Sequence, residues 1–181
     1  LAAKGLVVAK TRVGTKVSDP THWNYFDADL LSWKVSLGMD DAFRRHLLEI
    51  RRAIEPRAAA LAAIRRTRED IATLRKAIAG MRAQDASVQG FAEADLDFHL
   101  AVGVASGNPL MRSLAGVIET ALIASFSLSS PLDSPEDHKS SVECHEAIVD
   151  AIELGDAAGA ERAMLAVIDV GHERIEFAKP A

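Results

Sequence analysis

The run Asp40-Asp41-Ala-Phe43-Arg-Arg-His46-Leu47-Leu-Glu49-Ile50-Arg51-Arg52-Ala-Ile54-Glu55-Pro56-Arg-Ala-Ala-Ala-Leu61-Ala-Ala-Ile64-Arg65 decides the fold class. Phe43, Leu47, Ile50, Ile54, Leu61 and Ile64 recur at three- and four-residue steps, the spacing of one face of an α-helix. Pro56 interrupts the run and is expected to kink it. The same period returns downstream. Thr67 caps a helix to about residue 84, with Asp70 three residues on as a weaker capping box and Ile71, Leu74, Ile78 and Met81 as its stripe. Residues 88–106 carry Phe91, Phe98 and Val102 and stop at Gly107. Asn108 with Pro109 opens a helix to about 128. After a loop from Ser129 to Asp133, Ser134-Pro135 starts a helix that stops at Gly155, and Asp156 caps the last, to about 177. The connections are short, so neighbours are expected to be antiparallel. The expected fold is all-α, a bundle of six to seven helices, with abundant alanine at close helix contacts.

Residues 6–10 and 12–18 read differently. Val7, Val8, Val13 and Val17 suit strands, and Gly14 permits a bend, so a two-stranded ribbon is expected. Such a ribbon is marginal alone, and only five residues stand upstream of it. Residues 19–39 form a connector that holds both tryptophans, Trp23 and Trp33, and the single Tyr25. That is too apolar for a loose linker, and a short helix near 27–35 is expected to dock on the body. The net charge is −5. Residues 1–20 carry Lys4, Lys10, Arg12 and Lys16 against Asp19, a surplus of +3 that leaves −8 for the rest. A basic end on an acidic body suggests that one end meets a polyanion. The single cysteine, Cys144, argues against a disulfide framework and fits a reducing cytosol. No run is apolar enough for a membrane span, and the first residues lack a signal-peptide pattern.

Asp95 and His99 stand four apart in the run Glu93-Ala-Asp95-Leu-Asp-Phe98-His99, one turn from each other on one helical face. A carboxylate and an imidazole so placed can grip a metal ion, or each other. His145, among Val142, Ile148 and Val149, is a natural third ligand, with a core histidine bonded to a carboxylate as the alternative. Arg51 sits beside the core stripe of its helix. It can pair with Glu49 or Glu55, or clamp an anionic ligand with two parallel hydrogen bonds. His22, His46 and His138 are placed in structural or solvated roles, while His172, on the last helix, can approach the site from another side, with a surface role favoured by its place near the C-terminal end. Gly-x-Ser-x-Gly and His-Glu-x-x-His are both absent from the sequence.

Several of these stretches, taken in order, resemble the ligand-binding domain of FadR-type regulators, a branch of the GntR family of bacterial transcription regulators. They are Glu49-Ile-Arg51 through Ala63, Asp95-Leu-Asp-Phe98-His99, Ser106-Gly-Asn108-Pro, and His145-Glu-Ala-Ile148 through Asp156 with Ala160 and Met164. Residues 1–18 resemble the end of the recognition helix and the wing of the family's winged helix-turn-helix. Trp23-Asn-Tyr-Phe-Asp27-Ala-Asp29-Leu-Leu-Ser-Trp33 is similar to members that answer to sugar acids such as galactonate or gluconate. The resemblance implies a partial DNA-binding head at 1–18, a connector at 19–39 and a helical effector-binding and dimerisation domain at 40–178. It also implies a homodimer, operator DNA as partner of the full-length protein through Lys4, Lys10, Arg12 and Lys16, and a small carboxylate effector met by Arg51 and Asn108. A divalent metal, zinc or nickel, is implied at Asp95, His99 and His145. The family's fourth ligand falls at Val167, where this chain departs from the pattern.

The function expected is therefore a cytoplasmic, ligand-responsive transcription regulator that is not an enzyme and does not enter a membrane. The rivals are a helical metalloenzyme built on the Asp/His/His set, for which no clear general base stands out, and a dimerisation module with a silent site.

Overall fold

The computed structural model describes residues 1–83, 87–126 and 130–178. Two antiparallel strands, β1 (Val7–Lys10) and β2 (Gly14–Val17), precede eight α-helices among the described residues. These are α1 (Ala28–Ser36), α2 (Asp41–Arg65), α3 (Arg68–Arg82), α4 (Val88–Ala105), α5 (Pro109–Arg112), α6 (Ala115–Phe126), α7 (Pro135–Leu154) and α8 (Ala157–Ala178). The expected ends at 84 and 128 and the start of the loop at Ser129 lie outside the described residues.

Short polar side chains start the helices by accepting from otherwise unpaired N–H groups. Asp27 accepts from Leu30, Asp40 from Phe43, Ser87 from Gly90, Asn108 from Leu110 and Ser134 from Asp137. Thr67 and Asp70 form a reciprocal capping box. α7 ends at Gly155, whose φ of 79° is the left-handed conformation that glycine adopts without strain.

α2 passes through Pro56 in one 25-residue span, with the proline buried. One expectation on helix continuity needs correction. The helix expected from 109 to 128 is instead split into α5 and α6. The Ser113 hydroxyl donates back to the Pro109 carbonyl, competing with the helical ladder. The break lets α6 lie on α1, where Gly116 approaches Ala28 and Leu31.

α2 packs chiefly on α8 and also meets α4, α6 and α7, while α3 bridges α4 and α7. Alanines make this closeness possible: Ala58, Ala59, Ala62 and Ala63 are all buried on α2. The core continues through Leu74, Met81, Phe91, Phe98, Ile148, Ile152 and Met164. α1 docks as expected, with Leu30 and Leu31 buried.

The ribbon pairs Val7 with Val17 and Lys10 with Gly14, and its side chains are largely exposed. It is tied to the connector rather than to a core. Ser18 N–H donates to the Leu6 carbonyl, Asn24 N–H to the Lys4 carbonyl, and the Trp23 indole N–H to the Ser18 carbonyl. Gly5, at φ 74°, lies so close that a Cβ there would collide with the His22 carbonyl.

Leu74→Ala should lower unfolding free energy by about 2–5 kcal/mol, because the side chain is fully buried among helices that cannot collapse onto the gap. Leu154→Ala, at a residue 82% exposed, should change it by less than about 0.5 kcal/mol. Urea denaturation of both variants checks the contrast.

Candidate metal and effector site

Helical geometry places Asp95 and His99 on adjacent turns of α4, and both are buried. α7 brings His145 to them, also buried. One ligand atom from each of the three lies within 4.8 Å of the other two. The structure thus brings together the three side chains that the sequence reading combined.

Their hydrogen bonding fixes which nitrogen is bare. His145 Nδ1 is 2.7 Å from the Ser141 carbonyl oxygen, which can only accept, so Nδ1 carries the proton. Nε2 then presents its lone pair 3.0 Å from Asp95 Oδ1. His99 repeats the arrangement. Arg51 Nη2, which can only donate, stands 3.5 Å from His99 Nε2, and His99 Nδ1 lies 2.5 Å from Glu55 Oε2. His99 Nε2 is 3.9 Å from Asp95 Oδ2. Both imidazoles therefore turn Nε2 toward the same carboxylate, each with its other nitrogen against an oxygen behind it, the orientation that backing groups impose on metal-bound histidines.

Neither His145 Nε2 nor His99 Nδ1 has an aligned hydrogen-bond partner, although an oxygen is close to each. A proton on His145 Nε2 would be out of line with Asp95 Oδ1. A carboxylate oxygen and two imidazole nitrogens that converge this closely suit a shared cation. The donor set fits a divalent ion. Val167 of α8, where the resemblance implies a fourth ligand, lines the same hollow with hydrocarbon.

Glu55 is the member that sequence reasoning placed only as a partner of Arg51. It accepts from Arg51 Nε at 2.5 Å and also backs His99. Burial alone would raise its pKa, but the Arg51 guanidinium and His99 outweigh that and hold it at about 2 against an ordinary 4.5. Asp95 is likewise held below its ordinary value: burial opposes this, and contact with His145, the charge of His99 and then Arg51 overcome it. The signal for Glu55 was present as the i,i+4 step from Arg51. The step to His99, 44 positions further on, crosses helices and has no sequence signature.

Other expected site residues fall elsewhere. Asn108 caps α5 and is absent from the cavities that Arg51 lines. Lys4, expected to meet DNA, instead binds Asp27 at 2.6 Å and Asp29 at 2.7 Å and lies over the Trp33 ring, because the first turn of α1 puts two carboxylates beside it. Lys10, Arg12 and Lys16 are exposed on the ribbon. His138 is structural, with Nε2 2.6 Å from the Met81 carbonyl and its ring edge-on to Phe91.

Two adjacent hollows adjoin the cluster. The inner one, about 50 Å³, is bounded by Asp95, His99, His145 and Val167. The outer one, about 250 Å³, opens between the start of α2 and the end of α8. Arg51, Ser125 and Gly171 line both. Together they reach the lower end of the size range of small-molecule sites. A larger apolar hollow of about 460 Å³ under Tyr25 and Phe43 lies apart from the cluster.

Glu55→Gln should cost about 3–5 kcal/mol, since it leaves the buried Arg51 charge without its counter-ion. The folded-state pKa of Glu55 lies below its unfolded value, so its stabilisation is complete above pH about 4.5 and is lost as pH falls toward about 2. Urea midpoints across that range should fall less steeply in the variant than in the parent.

The profile of the FCD domain matches residues 46–170. The chain is 32% identical over 176 residues to the galactonate operon transcriptional repressor of Escherichia coli strain K12, covering 97% of this chain and 76% of that protein. It is 31% identical over 171 residues to the HTH-type transcriptional regulator LutR of Bacillus subtilis strain 168, covering 92% and 75%. Among solved structures it is similar to Streptococcus agalactiae GntR, with a TM-score of 0.63, 27% identity and coverage of 95% and 77%. Escherichia coli McbR/YncC shares the fold, with a TM-score of 0.66 at 14% identity and coverage of 99% and 81%. With the matched profile spanning most of its helical body, this chain belongs to the GntR family of transcription regulators, in the branch that carries an FCD domain.

Proposed function

We propose that the helical body, residues 40–178, binds a small carboxylate with the help of a divalent ion, zinc or nickel, and that the bound state governs operator binding by a homodimer. The observation that carries this reading is the buried contact of His145 Nε2 with Asp95 Oδ1, two atoms that would both serve as ligands to a cation. Asp95, His99 and His145 would hold the ion. Three protein ligands leave room for a further one, and the ion would supply a Lewis-acidic anchor for one carboxylate oxygen.

The chain's own residues do the rest. Arg51 faces both hollows, and its fixed fork suits a carboxylate. Glu55 keeps that fork in place through Nε at 2.5 Å and Nη2 at 3.4 Å, with Nη2 also 3.5 Å from His99 Nε2. Val167 and Leu122 exclude water on the apolar side of the inner hollow. The similarity to a galactonate operon repressor supports an acidic metabolite as ligand. A ligand can shift the equilibrium between two arrangements only by its difference in affinity for them. Here it bridges α2, α4, α7 and α8, so its grip depends on how those helices sit.

In this reading residues 1–18 belong to the DNA-binding head and 19–39 connect it to the body. Lys10, Arg12 and Lys16 are the phosphate-facing cations, and Lys4 fastens the head to the connector.

A thermal-shift screen of sugar acids, with zinc or with a chelator, tests the proposal. One acid is expected to raise the melting temperature by several degrees at about 100 times its Kd. The rise should vanish with chelator and in His145→Ala. A rise indifferent to chelator would remove the metal and leave Arg51 as anchor. No rise with any acid would make the body a dimerisation module with a silent site.

A further inference from the structure

The outer hollow carries a second set of basic side chains that a ligand with a single acidic end would not use. Arg44, Arg45, Arg51 and His172 line it, and among the described residues Asp41 is its one lining carboxylate. Two of the guanidinium charges are balanced: Arg51 by Glu55, and Arg44 by Asp41 at 2.5 Å. Arg45 is exposed and His172 half-buried, and neither has an ion pair or hydrogen bond among the described residues. Arg44 lies beside them, with its terminal nitrogens bonded to the Met39 carbonyl and Asp41.

The spacing is specific. Arg44 and Arg51 are seven residues apart on α2, two turns on nearly the same face, which sets them roughly 10 Å apart along the axis. Arg51 Nε turns toward Glu55, while Arg44 turns back toward Met39, so their charged ends are at least that far apart. The two hollows are adjacent, with Arg51, Ser125 and Gly171 lining both. The neutral hydroxymethyl end of a simple sugar acid would make poor use of a mouth with surplus positive charge.

We infer that the ligand is an elongated acid with a second anionic group, a carboxylate or a phosphate, at its far end, held by Arg45 and His172 with Arg44 beside them. This rests on the proposed function, in that the first acidic end is the one bound near Arg51 and the Asp95–His99–His145 cluster. Arg45 and His172 are then specificity-determining residues.

Calorimetric titration of the zinc-supplemented protein with three matched probes tests the inference: gluconate, glucarate, and gluconate phosphorylated at its distal carbon. At least one of the two-headed acids is expected to bind about tenfold more tightly than gluconate, the value of one charge-assisted hydrogen bond. Which of them does so distinguishes a distal carboxylate from a distal phosphate. In the Arg45→Ala/His172→Gln double variant the advantage should disappear while gluconate affinity changes less than about twofold. Both positions are at least partly open to solvent, and an unchanged melting temperature confirms folding. Gluconate binding as tightly as both two-headed acids would overturn the inference and leave the proposed function standing. So would an advantage that survives in the double variant. Failure of all three probes to bind would remove this ligand class from both proposals.

Discussion

A charge inside a helical bundle must be answered by another charge, and this chain arranges its interior around that requirement. Arg51, Glu55, His99, Asp95 and His145 form a continuous buried series drawn from α2, α4 and α7. Such a series contributes little net stability, because desolvation consumes most of the Coulombic gain. What it imposes is register. A shift of α4 by one residue would carry His99 away from Glu55 and Asp95 away from His145, breaking two buried polar contacts. The polar series therefore fixes where the apolar surfaces of three helices meet.

The apolar packing in turn makes the series possible. Alanines on α2 let α8 approach closely, which places Val167 against the inner hollow and His172 at its mouth. Phe98, next to His99 in sequence, packs edge-on against the rings of both His99 and His145. The aromatic edge carries partial positive charge and so meets the π-faces of the imidazoles favourably. The site is thus held from behind by oxygen and from the side by hydrocarbon.

Much of the fold was legible because it is local. Caps such as Asp40, Thr67, Asn108 and Ser134 act on N–H groups two or three residues away, and the three- and four-residue stripes report a single helix at a time. The Asp95–His99 pair was legible for the same reason, being one turn of helix. The break at Ser113 was not, because it turns on how α6 meets α1, and nothing around Pro56 in the sequence shows that α2 runs on through it. In the site, His145 could be proposed from its apolar surroundings, but Glu55's contact with His99 joins distant helices and leaves no local trace. Lys4 shows the opposite failure. Its charge was plain, yet its partners Asp27 and Asp29 lie more than twenty positions away, so an ion pair looked like a free cation.

Asp27 does two things at once: it caps α1 through the Leu30 N–H and it receives Lys4. Gly5 meanwhile sits flush against the His22 carbonyl. The N-terminal segment and the start of α1 are consequently one mechanical piece. A tilt of α1 on the bundle cannot be taken up as slack between them; the ribbon's tip must sweep through a larger arc than the helix that moves it, as the long arm of a lever does.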